Sequence, residues 1–163
     1  MIAEIGHFAL ILAVGVALYQ FLVPLYGAQR GDAGLMRAGI SAALLQLVLI
    51  GIAFAALTHA YVVSDFSVRN VIENSHSAKP LLYKISGVWG NHEGSMLLWV
   101  LILALYGSAV ALFGRNLPLE LRARVVAIQG SIGLAFLLFI VLTSNPFLRV
   151  NPAPVEGNGL NPI

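Results

Sequence analysis

The residues best suited to chemistry sit in one run, Trp89-Gly90-Asn91-His92-Glu93-Gly94-Ser95-Met96-Leu97-Leu98-Trp99. An imidazole beside a carboxylate can pass a proton, hold a hydrogen-bonding partner or bind a cation. The spacing argues against one shared metal ion. Adjacent helix positions point about 100° apart, and no second imidazole follows at the His-Glu-x-x-His interval that aligns two ligands on one face. Two readings stay open. In one, Asn91 caps a helix and Glu93 occupies its first turn, where the helix dipole favours a carboxylate by roughly 0.3–1 kcal/mol. In the other, Trp89, His92, Glu93 and Trp99 line a surface that docks a partner. Tryptophan prefers the membrane–water boundary, and the run starts polar and ends inside an apolar stretch. Both readings therefore put it at the mouth of a transmembrane helix.

The other histidines are less telling. His7 and His59 lie near the ends of apolar stretches. Each is a haem or metal ligand by residue type, but a half-wet histidine at a helix end is the commoner case. His76 falls in a polar segment and reads as solvated. The 163 residues include no cysteine, so disulfide, zinc–thiolate, iron–sulfur and thiol-redox chemistry within the chain are excluded. No cofactor-binding, catalytic or metal residue is assigned on this basis.

The elements that position these residues follow from composition. The chain is 59% hydrophobic and only 10% charged, with a mean hydropathy of +0.88, whereas soluble domains are about a quarter charged. The expected fold is all-α, a polytopic membrane helix bundle. Four apolar stretches approach the roughly 20 residues that cross a bilayer: Ile5–Tyr26, Gly39–Val63, Glu93–Phe113 and Val125–Thr143. In hydrocarbon every backbone group must be paired within its segment, which calls for helices, and the runs are too continuous for barrel strands. The start carries Glu4 and no basic residue, unlike a cleavable signal, so the first stretch is expected to remain as a span. A net charge of +2 without a basic face gives no support for nucleic acid as a partner.

Charge sets the expected orientation. The short loops Gly27–Ala38 and Gly114–Arg124 carry Arg30, Arg37, Arg115, Arg122 and Arg124, which marks them as cytoplasmic. The longer loop Ser64–His92, between helices 2 and 3, and the tail after Ser144 mix both signs and should face outward. Both termini are then periplasmic. Small residues recur every fourth position: Ala9, Ala13, Ala17; Gly51, Ala55; Ala104, Ser108; and Ala127, Ser131, Ala135. Such stripes pack helices closely in lipid. No span carries Asp, Glu, Lys or Arg at its middle, only the amides Gln20, Gln46 and Gln129, which speaks against a self-contained pump or secondary transporter.

In the long loop, Asp65–Ser75 fits a short extended segment or a helical turn about equally. Pro80 suits a first helical turn, and Leu81, Leu82, Ile85 and Val88 continue at helical spacing, predicting a short helix in the interface that leads into Trp89. The proline-rich tail Ser144–Ile163 reads as irregular.

Several stretches resemble the haem lyase subunit of cytochrome c maturation, the CcmF/NrfE type. They are Glu4-Ile5-Gly6, Pro24-Leu25-Tyr26-Gly27 with Arg30-Gly31-Asp32, Val63-Ser64-Asp65-Phe66, the Trp89–Trp99 run, and Thr143-Ser144-Asn145-Pro146-Phe147. The run between the tryptophans is the most specific, and the likeness covers essentially the whole chain. It implies a multi-pass protein of the bacterial inner (plasma) membrane, working at the periplasmic face late in cytochrome c biogenesis. There the haem vinyl groups form thioethers with a Cys-x-x-Cys-His motif. The implied cofactor is haem, and the implied partners are membrane lipid, a haem chaperone, a thiol-handling subunit and apocytochrome c.

The family's tryptophan-rich haem motif and its haem-ligand histidines belong to a later part of a longer chain, the first of them expected just beyond Leu160–Pro162. None is carried over onto His7, His59, His76 or His92. Residues 1–163 are thus expected to be the N-terminal membrane portion of such a protein, truncated or naturally split. They would supply scaffold and outer surface and pack on the remaining C-terminal part. Alone they would not be a competent lyase. The competing functions are a transport subunit for haem or another hydrophobic solute, and a structural subunit of a membrane complex.

Overall fold

The computed structural model describes residues 1–159. The Leu160–Pro162 landmark lies outside the described residues. The expected all-α class is found. The order is α1 (Ile2–Arg30), α2 (Ala33–Val62), α3 (Arg69–Asn74), α4 (Leu81–Gly87), α5 (His92–Phe113), a 3₁₀ turn (Gly114–Asn116) and α6 (Leu119–Leu142). Four of these, α1, α2, α5 with its 3₁₀ extension, and α6, are long and apolar enough to cross a membrane.

The spans run past the bounds set by apolarity. α1 continues through Arg30, α2 begins at Ala33, and α6 begins at Leu119. Hydropathy marks the hydrocarbon-depth segment, whereas capping decides where a helix stops. Gly31 closes α1 in the left-handed region (φ 69°), and Asp32 opens α2 by accepting from the Gly34 and Leu35 amides at 2.8 and 3.1 Å. This turn suits glycine, whose missing Cβ removes the penalty of positive φ. Pro118 precedes α6, where its lacking N–H costs nothing.

The bundle packs α1 against α2 and α6, and α5 against α2 and α6. Its interior is built from small residues with larger ones between them. Ala9, Ala13 and Ala17 of α1 are buried as their spacing predicts, as are Ala104 and Ser108 of α5. Two predicted stripes are out of phase. Gly51 is only partly covered and Ala55 is exposed, while Ala53, Ala56 and Ala60 face the core; on α6, Ala127 is buried but Ser131 is only partly covered and Ala135 is exposed, and Gly130, Gly133 and Leu137 take the inner face. Four-residue spacing identifies a stripe, but the face that turns inward depends on the neighbours. Phe8, Trp99, Tyr106 and Phe113 stand exposed on the outside, as residues facing lipid or further helices would.

Beyond the ends of α2 and α6 the chain forms a cap. The Asp65–Ser75 segment contains both expected conformations in turn: Val68 makes an isolated antiparallel bridge with Arg149, and α3 follows. The tail carries no helix or strand among the described residues, yet it is held firmly. Arg69 N–H donates to Leu148 O (2.8 Å), Val150 N–H to Ser67 O (3.0 Å), and Asn158 N–H to Ile72 O (2.7 Å). A composition rich in proline and asparagine shows the lack of regular structure but not these cross-chain bonds.

Candidate functional site

The start of α5 is fixed by its own side chains. Asn91 has extended backbone and its Oδ1 accepts from the Gly94 amide at 2.8 Å, the N-cap predicted from sequence, with Glu93 in the first turn. Gly94 is required for a different reason. A Cβ there would overlap the Val88 carbonyl oxygen, and Val88 is fully buried as the plug between α4 and α5.

Asn91 is also the centre of a part-buried polar network. Its Nδ2 donates to Tyr61 Oη (3.0 Å), Gly87 O (2.9 Å) and Val88 O (3.1 Å). Tyr61 Oη donates to Asn70 Oδ1 at 2.7 Å, and Asn70 Nδ2 returns to Asn91 Oδ1 (2.9 Å) and Glu93 Oε2 (3.1 Å). Tyr61 and Asn70 are almost wholly buried. Buried polar groups are costly unless paired, so this closed set locks α2, α3 and the head of α5 into one arrangement.

His92 and Glu93 diverge, as adjacent helix positions must. Glu93 turns to Asn70. His92 Nδ1 lies 2.9 Å from Ser144 Oγ, and its ring meets Phe139 edge-on at 6.3 Å between centroids. His7 reaches the same segment from α1: its Nε2 lies 3.1 Å from Asn145 Nδ2 and its ring stacks on Phe147. The segment Ser144–Phe147 therefore receives both imidazoles. Between it and α3 opens a polar cleft of about 170 Å³, lined by Arg69, Asn70, Glu73, Glu93, Ser144 and Asn145.

The two tryptophans flank the motif in sequence but not in space. Trp89 is half-exposed at the join between α4 and α5. Trp99 lies seven residues beyond His92, about 10 Å along α5 at 1.5 Å per residue, and is two-thirds exposed on the outer surface. It does not line the cleft. Helical rise separates residues that a linear motif groups together.

Electrostatics tie the tail to this cap. Arg149 pairs with Glu4 and, at 3.2 Å, with Asp65. Burial pushes the Asp65 carboxyl up, but the Ser67 hydroxyl and amide and the Arg149 guanidinium outweigh it and hold it below the usual carboxylate range. Glu156 accepts from the Ser77 hydroxyl (2.5 Å) and amide (2.9 Å), which lower its pKa from 4.5 to about 2.

The residues missed in the sequence are Tyr61, Asn70, Ser144 and Asn145. Ser144 and Asn145 belong to the Thr143–Phe147 stretch of the family resemblance, which was the available signal. Tyr61 sits unmarked in an apolar helix. Among the described residues no three His, Cys, Asp or Glu side chains group as a metal site.

Comparison with known proteins places this geometry. The whole chain is 63% identical to the cytochrome c-type biogenesis protein ccl1 of Rhodobacter capsulatus and 63% identical to CycK of Bradyrhizobium diazoefficiens. It is 46% identical to CcmF of Escherichia coli. The chain belongs to the CcmF family. The family profile described as "Cytochrome C assembly protein" matches residues 89–163, beginning at Trp89. The solved structure titled "Cytochrome c Heme Lyase CcmF" superposes with a TM-score of 0.85 over 90% of this chain, at 26% identity, and corresponds to 25% of that chain. The chain spans about a quarter of the length of the CcmF-family relatives it matches.

Haem is the cofactor to test against this family member. The polar cleft and two apolar grooves do not suit it. The polar cleft is smaller than the roughly 300–1,000 Å³ of pockets that enclose drug-sized ligands. Two apolar grooves of about 550 Å³, one between α1 and α2 and one beside Leu22 and Leu35, carry no histidine among their lining residues.

Proposed function

We propose that residues 1–163 are a membrane portion of a cytochrome c biogenesis protein of the haem lyase type, supplying scaffold and a docking surface for haem attachment. Haem ligation is left to residues outside this chain. The reading rests on one observation above all. The Trp89–Trp99 run, where the family profile begins, folds as a capped helix head whose Asn91 and Glu93 are locked to α2 and α3, while His92 abuts Ser144. So much cross-linking hydrogen bonding at a helix mouth, part of it around the buried Tyr61 and Asn70, favours a rigid, defined surface over a plain lipid-facing turn.

In this proposal the protein resides in the bacterial inner membrane, with the α3–α4 cap and both termini periplasmic. The arginines at the opposite end, on the α1–α2 and α5–α6 turns, support that orientation. The half-exposed Trp89 and the exposed Leu81, Leu82 and Tyr83 of α4 suit a helix lying in the outer interface. The surface partners are the haem chaperone, the thiol-handling subunit and apocytochrome c. The exposed apolar flanks pack on lipid and on the remaining C-terminal part of the lyase.

The test is genetic and biochemical. Deleting the gene should abolish haem-stained c-type cytochromes, and the intact gene should restore them. Unchanged cytochrome c in the deletion strain contradicts the assignment. A copy of residues 1–163 co-expressed with the C-terminal part should co-purify with it in mild detergent, and separate elution contradicts shared packing.

A further inference from the structure

Three glutamines, none near the cap, meet inside the bundle. Gln20 of α1 donates to the Val126 carbonyl (3.2 Å) and to Gln129 Oε1 (2.7 Å), both on α6. Gln129 in turn donates to the Leu103 carbonyl of α5 at 2.8 Å. Gly107 makes the room, since a Cβ there would overlap the Gln129 amide. A polar chain thus joins α1, α6 and α5. Gln46 of α2 points into the same region but takes no part in it.

Gln20 is 0% exposed and Gln46 is 3% exposed, yet Gln20 Oε1 and both polar atoms of Gln46 have no protein partner. Unpaired buried amides are costly, and in hydrocarbon no bulk water relieves them. The three glutamines, with Leu103 and Gly133, line a void of about 10 Å³. A void of about 10–15 Å³ accommodates one water when two to four polar groups face it. The unmatched groups include an N–H donor on Gln46 and carbonyl acceptors on Gln20 and Gln46, which complement a molecule that both donates and accepts. An anion would meet the acceptors unfavourably, and a metal ion would lack a counter-charge.

We propose that the void between Gln20, Gln46 and Gln129 is a hydration site for one ordered water. The water accepts from Gln46 Nε2 and donates to Gln20 Oε1, fastening α2 to the chain that joins α1, α6 and α5.

Gly133 provides the test. A methyl group added there meets only Leu103 Cδ2, at 3.9 Å, so Gly133→Ala is sterically tolerated but competes for the void. In a helix, alanine is otherwise favoured over glycine. If the void were dry, Gly133→Ala would therefore raise the melting temperature in detergent. The hydration site predicts a fall of several degrees. It also predicts magnetisation transfer from water to the Gln46 side-chain amide in glutamine-labelled protein in bilayers, lost in Gly133→Ala. A raised melting temperature overturns the proposal. So does a Gln46 amide in the parent protein that shows no water contact, whichever way the melting temperature moves.

Discussion

Replacing Asn91 by alanine removes the hub of the cap. The change deletes the helix N-cap to Gly94, worth about 1 kcal/mol. It also deletes the acceptor for Asn70 Nδ2 and the donor to Tyr61 Oη and the Gly87 and Val88 carbonyls. Each lost bond contributes about 0.5–1.5 kcal/mol net. Some relief remains, because Asn70 keeps Glu93 and Tyr61 keeps Asn70. The sum is a loss of roughly 2–4 kcal/mol, or a melting temperature lower by on the order of 10 °C for a chain of this length. Asn91→Ser separates the two contributions. Serine caps as well as asparagine but is too short to hold the cross-loop bonds, so it should fall between alanine and the parent. Thermal unfolding in mild detergent, followed by circular dichroism and tryptophan fluorescence, measures all three. An Asn91→Ala protein that melts within 1–2 °C of the parent, a shift below roughly 0.5–1 kcal/mol, would show that this network does not hold the α5 head in place.

Three further outcomes follow from the same geometry. Gly94→Ala should destabilise more than a surface substitution, by about 1–3 kcal/mol, because its Cβ overlaps the Val88 carbonyl and overpacking forces backbone shifts; the same melting assay reads it. Under the proposed role, His92→Ala in the chromosomal gene should lower the yield of haem-stained cytochrome c modestly, since the ring loses one hydrogen bond to Ser144; complete loss would instead make His92 indispensable to the reaction. Acid should release the tail. Glu156 and Asp65 have folded pKa values below 4.5 and 3.8, so the stability they contribute is present above those values and is lost as pH falls toward the lowered ones, about 2 for Glu156. Amide exchange at Asn158 and Gly159, corrected for intrinsic rate, should therefore accelerate between about pH 4.5 and 2; pH-independent protection would contradict the carboxylate anchoring.

What was legible in the sequence was local or compositional. Apolar runs of bilayer length announce four spans because hydrocarbon leaves a backbone no alternative to the helix. Asn91 as a cap and the helix after Pro80 were legible because their causes lie within a few residues. Phase was not. Ala55 and Ala135 share the spacing of buried stripes yet point outward, since the choice of face depends on which helices stand beside them. The partners of Glu93 and His92 were hidden for a related reason: Asn70 lies 23 residues away and Ser144 lies 52. Neither has a residue type that distinguishes it from other asparagines and serines. Trp99 shows the reverse relation: near His92 along the chain, it stands about two helical turns further along α5.

Orientation is the claim on which the functional reading turns, and the absence of cysteine makes it directly measurable. Single cysteines at Ala78 in the α3–α4 loop and at Asn116 in the α5–α6 turn, both exposed, can be tested with a membrane-impermeant maleimide on intact spheroplasts. A periplasmic cap predicts that Ala78→Cys is labelled at once and that Asn116→Cys is labelled only after permeabilisation. Labelling of Asn116→Cys from outside, with Ala78→Cys protected until the membrane is opened, would contradict it.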